Sequence, residues 1–224
     1  MVAQQTNTPT STIFLQNCVE GMKQYPNKYF DLAIVDPPYG IGEDGKKNHT
    51  RGTLAKPTLY TPKQWDKAPP KKAYFDELFR VSKNQIIFGA NHFIAKMPKN
   101  SPSWIVWDKE NGSNDFADCE LAWTSFKTAV RMFHFKWAGM LQGDMKNKET
   151  RIHPTQKPIR LYDWLLTNYA KPNDLILDTH LGSGSSRIAA YKNGHNFIGF
   201  ELDEEYYAAQ EKRFQRFIAQ QRLW

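Results

Sequence analysis

Short apolar runs alternate with helical stretches along most of this chain. Thr12 to Gln16 reads as a strand, Val19 to Gln24 as a short helix, and Tyr29 to Val35 as a strand whose apolar run Leu32-Ala33-Ile34-Val35 suits burial on both faces. The pattern then predicts a helix over Lys72 to Ser82, a strand over Gln85 to Gly89, a helix over Asn91 to Met97 and a strand at Trp104-Ile105-Val106-Trp107. Glu120-Leu121-Ala122-Trp123 alternates in character, and Val130 to Phe135 reads as a core hairpin. A helix from Pro158 to Tyr169 carries Leu161, Trp164 and Leu165 as core positions. A strand at Leu175-Ile176-Leu177, a helix from Arg187 to Asn193 and a strand over Asn196 to Phe200 follow. The final helix, from Asp203, repeats Tyr207, Gln210, Phe214, Phe217 and Gln221 at helical spacing. Strands alternating with helices argue for an α/β fold, a mainly parallel twisted sheet with helices on both faces. Ligands in such sheets lie beyond the carboxyl ends of the strands. No internal repeat is visible, and a single domain over residues 1–224 is expected.

Composition narrows the class without choosing a function. The 224 residues are 40% hydrophobic and 14% aromatic, enough for one sizeable core. The formal charge of +7, from 30 basic and 23 acidic residues, suits a polyanionic partner but is spread along the chain. Cys18 and Cys119 form no metal or disulfide pattern, which points to a reducing compartment, and metal catalysis is not expected. No apolar run approaches a membrane span, and Met1 to Ser11 reads as a loose polar tail, so a cytoplasmic location is expected. From Ile41 to Pro70 the composition shifts to Gly, Lys, Asn, Thr and Pro, long for a connection inside a compact domain. Its Lys46, Lys47, His49, Arg51, Lys56 and Lys63 could reach phosphates, with Tyr60 and Trp65 to pack or stack; the alternative is a solvated surface loop.

The chemistry concentrates in two places. Asp36-Pro37-Pro38-Tyr39-Gly40 follows the apolar strand directly, and the prolines push Asp36 and Pro37 into extended backbone. The Asp36 carboxylate and the Pro37 carbonyl can then accept both hydrogens of a planar exocyclic amine, beside a Tyr39 ring on which a nucleobase can stack. An ordinary strand-terminating turn is the plainer reading. Far along the chain, Asp178-Thr179-His180-Leu181-Gly182-Ser183-Gly184 lies between a strand and a helix, as a cofactor loop does. Arg187 stands where a dinucleotide fingerprint has its third glycine, and no Lys-Ser or Lys-Thr pair follows, so neither NAD nor ATP is favoured. Glu201 ends the next strand about twenty residues past the glycine turn, where an acid can take ribose hydroxyls.

Taken together, these segments resemble an amino-group DNA methyltransferase that uses S-adenosylmethionine, in the β arrangement, where the catalytic turn precedes the cofactor loop. Residues 36 to 40 match the catalytic motif and Asp178 to Gly184 the cofactor loop. His153-Pro154-Thr155-Gln156-Lys157-Pro158 matches the family segment that leads into the next helix. The Trp107-Asp108-Lys109 and Glu120 to Trp123 stretches also recur in phage-like members, with their tryptophans as core. The resemblance implies a Rossmann-like fold and a catalytic turn of Asp36, Pro37, Pro38 and Tyr39 acting on a base flipped from duplex DNA. It implies cofactor contacts from Asn17, Cys18, Asp36, His153, Thr155, Lys157, Asp178, His180, Gly182, Ser183, Gly184, Glu201 and Leu202. DNA contacts fall to Lys46, Lys47, Arg51, Lys56, Lys63, Arg131 and Lys136, with a short target-recognition segment over Thr128 to Arg151. Two departures stand out: Thr179-His180-Leu181 follows Asp178 where the family has Pro-Phe, and Asn17 replaces an Asp expected to face the cofactor adenine. Asp36 in first place resembles adenine methylases more than cytosine ones, leaving cytosine-N4 as the alternative. A catalytically silent DNA-binding module is the reading from another class. The implied partners are double-stranded DNA, a second copy of the chain and, in a restriction–modification setting, a cognate restriction nuclease.

Overall fold

The computed structural model describes residues 8–43, 63–97, 100–112, 117–138 and 141–221. In chain order the elements are β1 (Ser11–Leu15), α1 (Cys18–Met22), β2 (Phe30–Val35), α2 (Lys72–Val81), β3 (Ser82–Phe88), β4 (Trp104–Asp108), β5 (Cys119–Thr124) and β6 (Arg131–His134). They continue as β7 (Trp137–Ala138), β8 (Leu141–Gln142), α3 (Ile159–Tyr169), β9 (Leu175–Asp178), α4 (Ser185–Lys192), β10 (Asn196–Glu201) and α5 (Glu204–Gln221). Eight strands form one sheet in the order β1-β10-β9-β2-β3-β5-β4-β6, while β7 and β8 pair separately. Within the large sheet only β5 runs against its neighbours. The mainly parallel α/β expectation is borne out.

Alternation along the central strands explains why both faces are covered. Leu32 and Ile34 of β2, Ile86 and Phe88 of β3 and Trp107 of β4 point to one face, where Leu161 and Leu165 of α3 and Ala189 of α4 pack on them. Ala33 and Val35, Ile87 and Trp123 point to the other, against Met22 of α1 and Phe75 and Leu78 of α2. These strands lie buried on both sides, as parallel strands require.

Two predicted elements differ. The helix expected over Asn91 to Met97 is a pair of single 3-10 turns, Ala90–His92 and Ile94–Lys96, separated by Phe93 at φ −144° and begun by Gly89 at φ +67°. Burial of the Phe93 ring interrupts any continuous helix. The core hairpin expected over Val130 to Phe135 is instead the edge strand β6, parallel to β4. Val130 and Met132 alternate onto the exposed face of the strand and are 54% and 52% exposed, whereas Phe133 and Phe135 alternate onto the other face and pack on the core, Phe133 against Trp164. Among the described residues, no helix is long and apolar enough to cross a membrane.

Candidate active site

The chain leaves β2 at Val35 and turns through Asp36 to Tyr39 at the carboxyl edge of the sheet. The Tyr39 hydroxyl donates to Asp36 Oδ1 at 2.6 Å, and the Lys157 ammonium donates to Asp36 Oδ2 at 2.6 Å. Lys157 also reaches the Tyr39 hydroxyl at 3.2 Å and Glu120 Oε2 at 2.8 Å, with its own side chain only 4% exposed. Lys109 in turn sits 2.5 Å from Glu120 Oε1. β5 is the reason Glu120 arrives here. Running backward, it brings its first residues to the carboxyl edge, with Glu120 opposite Trp107 and Cys119 opposite Asp108.

Burial raises the Asp36 carboxyl, with the Glu120 charge adding to it and Lys157 opposing. Burial also works against the Glu120 carboxylate, but Lys157 and Lys109 outweigh it and bring that group down to about 2. For the Lys157 ammonium, burial is likewise overcome by the two carboxylates, so its pKa is raised and it stays charged. Two lysines and two carboxylates thus form one buried, balanced set.

Tyr39 does not present an open ring, as the sequence suggested. A Cβ on Gly89 would lie 2.0 Å from the ring, so the Gly89 backbone covers it, and the exposed His92 stacks on it at 5.0 Å and 13°. Gly40 is equally enclosed: Asp66 accepts its N–H at 2.7 Å and that of Glu43 at 2.8 Å.

The glycine loop follows β9, which is the immediate neighbour of β2 with Ala33 beside Leu177. Gly182 and Gly184 take φ of +50° and +69°, backbone that side chains resist. Asp178 is 2% exposed and lies under the loop, accepting from Ser186 Oγ at 2.5 Å and His180 N at 3.0 Å; burial pushes its carboxyl up to about 7. Ser183 and Gly184 are also buried, with Ser183 Oγ against Ser185 Oγ and Gly184 against Gln210. These groups shape the loop; Gly182 remains half-exposed.

Glu201 closes the loop from β10, accepting from Gly182 N at 2.7 Å and from Leu202 N and Asp203 N at 2.8 Å. A carboxylate has about four acceptor sites, so one remains for a hydroxyl. Leu202 is 71% exposed beside it. Asn17, expected to face the cofactor adenine, caps α1, its amide oxygen accepting from Val19 N at 2.9 Å and Glu20 N at 3.4 Å. The Cys18 thiol, raised to about 12 by burial, lies 4.0 Å from His180 Nε2. His180 packs edge-on against Tyr74, and burial lowers it to about 4, so the ring is neutral.

Residues 153–157 connect the two motifs. The His153 ring lies 3.6 Å from where a Gly182 Cβ would stand, its Nδ1 meets Thr155 Oγ1 at 3.1 Å, and burial lowers it to about 3. Four residues on, Lys157, expected beside the cofactor, holds Asp36 of the turn.

The expected DNA contacts divide. Lys46, Lys47, His49, Arg51, Lys56 and Tyr60 lie outside the described residues. Lys63 is engaged by Asp203 at 2.5 Å and Glu205 at 2.8 Å, so its charge is already answered inside the protein. Arg131 begins β6, at the end of the sheet away from the site, whereas Lys136 follows the carboxyl end of that strand on the site side. Sequence reasoning missed Lys109, Glu120, Asp66 and His92 as neighbours of the turn; the polar members of Trp107-Asp108-Lys109 and Glu120 to Trp123 were the available signal. No group of three metal-binding side chains occurs among the described residues.

A catalytic-type turn and a glycine loop on adjacent parallel strands, in a Rossmann-like α/β sheet, define the methyltransferase fold. A family model described as DNA methylase, of the N6/N4 group, matches residues 123–212. Type II methyltransferase M.HinfI of Haemophilus influenzae is 26% identical over 95% of this chain and 70% of its own length. M2.MboI of Moraxella bovis is 24% identical over 90% and 86%. Among solved structures, M1.HpyAVI aligns with a TM-score of 0.58 at 20% identity, covering 91% of this chain and 98% of that one. The cytosine-N4-specific PvuII DNA methyltransferase aligns at 0.61 and 14% identity, covering 93% and 87%. Over residues 123–212 and along most of its length, the chain is thus similar to amino-group DNA methyltransferases.

Proposed function

We propose that the protein transfers a methyl group from S-adenosylmethionine to the exocyclic amino group of adenine in DNA. The observation that carries the reading is the adjacency of β2 and β9, which sets the Asp36 turn beside the Gly182 loop. The loop fits the cofactor on its own geometry: its glycines hold left-handed backbone, Glu201 keeps one acceptor site, and His153 walls Gly182 with a neutral ring. When bound there, S-adenosylmethionine supplies an electrophilic methyl group on a sulfonium.

The protein's part is to make a poor nucleophile better. An adenine amino nitrogen shares its lone pair with the ring, and hydrogen bonds from its two N–H groups to Asp36 and the Pro37 carbonyl draw it toward tetrahedral geometry. Asp36 can do this while holding Tyr39 and Lys157, because each carboxylate oxygen has two lone pairs. Asp36 or water then takes the surplus proton. Most of the rate comes from positioning. The flipped base costs a few kcal/mol to extrude; stacking on Tyr39 would return about 1–3 kcal/mol, once His92 yields the ring face it covers.

The preference for adenine rests on Asp36 in the first position of the turn; cytosine-N4 is the second reading, favoured by the structural likeness to a cytosine-N4 enzyme. Incubation with labelled S-adenosylmethionine and unmethylated mixed-sequence duplex DNA, then nucleoside digestion and mass spectrometry, decides between them. N6-methyladenine is expected. N4-methylcytosine moves the substrate to the other base, and no transfer overturns the reading.

A further inference from the structure

The Lys157 ammonium donates to Asp36 Oδ2 at 2.6 Å and to the Tyr39 hydroxyl at 3.2 Å, and it pairs by charge with Glu120 Oε2 at 2.8 Å. Two carboxylates therefore share one ammonium. The second oxygen of Glu120 is held by Lys109 at 2.5 Å, and the Lys109 ammonium itself leans on the Trp107 ring. A buried lysine paired to Asp36 alone would cancel the charge that an acceptor of amine hydrogens needs. A second carboxylate divides the attraction, and a second lysine keeps that carboxylate from being an unpaired buried charge.

From this arrangement we infer that Glu120 and Lys109 are positioning residues for amine methylation: Glu120 holds Lys157 between two carboxylates, so that the ammonium does not close wholly on Asp36 and a lone pair stays open for the substrate. Neither residue touches the substrate in this scheme; both act through Lys157. The inference rests on the methyltransferase reading. The groups that face Asp36 are Tyr39 on its own turn, Lys157 and Tyr162 from the α3 side, Glu120 from β5, Asp178 from β9 and Tyr74 from α2. Of these, Glu120 and Lys157 are the ones whose balance Lys109 controls.

The two positions should move Asp36 in opposite directions. In Glu120→Gln a neighbouring negative charge is gone and Lys157 turns wholly to Asp36, so the Asp36 carboxyl titrates at lower pH. In Lys109→Met, Glu120 loses its other partner and draws Lys157 away, so Asp36 titrates at higher pH. Single-turnover rates across pH read this as an acid limb displaced down for Glu120→Gln and up for Lys109→Met. The plateau rate of Glu120→Gln should fall about 10- to 100-fold, as expected for a misplaced catalytic group, with KM for DNA and cofactor little changed. Carboxyl 13C NMR of Asp-labelled protein, without cofactor or DNA, reads the same titration independently of turnover.

Opposite displacements in both measurements support the assignment. Displacements of one sign, or none, in variants with wild-type circular dichroism overturn it. If the wild type methylates no DNA while the NMR titrations still separate, the functional reading fails and the charge linkage does not; unmoved titrations sink the linkage whatever the turnover.

Discussion

The Tyr39 ring occupies the space in which any other residue at position 89 would carry its Cβ: that atom would lie 2.0 Å from Tyr39 Cε1. Gly89 also holds φ +67° as it ends β3, and its N–H reaches Leu121 O at 2.9 Å. The end of one strand thus serves as the platform for the aromatic residue delivered by the next.

Gly89→Ala is expected to cost roughly 1–2 kcal/mol from the left-handed backbone alone, with a further loss from the displaced ring. Methyl transfer should fall in a protein that still folds. Thermal melting and single-turnover assays check this; a wild-type rate in the Gly89→Ala variant would mean that Tyr39 tolerates displacement.

Asp36→Ala should nearly abolish transfer, because no other carboxylate among the described residues bonds both Tyr39 and Lys157. Tyr39→Ala should weaken it less, and Tyr39→Phe least, since the ring stays on Gly89 and only the hydroxyl donor to Asp36 is lost. Single-turnover rates in that order support the roles; equal modest losses in Asp36→Ala and Tyr39→Ala would refute them.

Salt dependence separates the basic residues. A lysine that neutralises a phosphate contributes roughly one unit to the slope of log affinity against log salt. Lys136→Met should reduce the slope by about that much, whereas Lys63→Met and Arg131→Met should leave it unchanged. Lys63 is committed to Asp203 and Glu205, and Arg131 lies at the far end of β6. Anisotropy titrations of labelled duplex DNA at several salt concentrations test each variant.

Buried titratable groups pull stability in opposite directions with pH. His153 and His180 have folded values of about 3 and about 4, below the ordinary 6.5, so the unfolded chain takes protons first and stability is lost as pH falls from about 6.5. Asp178, raised to about 7 from 3.8, does the reverse: the folded state holds its proton more tightly, and stability is lost as pH rises from about 4 to 7. Asp178→Asn should therefore gain on the wild type as pH rises, by at most about 4 kcal/mol. Urea midpoints at pH 5 and pH 8 give the comparison. An advantage no larger at pH 8 than at pH 5 would show that Asp178 is not protonated in the fold.

Much of the fold is readable from local pattern. β2, β9 and β10 are short apolar runs flanked by turn residues, and both motifs sit where strand ends put them. Lys157 stands out in the sequence but its partner does not, because the Asp36 contact joins residues 121 positions apart. Glu120 and Lys109 escape for the same reason: they meet the Asp36 turn only through the pairing of β3 with β5 and of β5 with β4. The capping role of Asn17 is not legible either, because a helix cap and a ligand contact ask for the same side-chain oxygen. The exposed face of β6 is equally invisible, since apolar residues at Val130 and Met132 look like core by their character alone.

The reversed direction of β5 has one more consequence. Side chains on a strand alternate between faces, so a slip of one residue in the pairing that sets Glu120 against Trp107 would turn its carboxylate to the opposite face and put Leu121 in its place. The sheet would remain paired and its core largely apolar, yet Lys157 would lose its second counter-charge. Strand alignment, which elsewhere decides only packing, here decides how many carboxylates face the Lys157 ammonium.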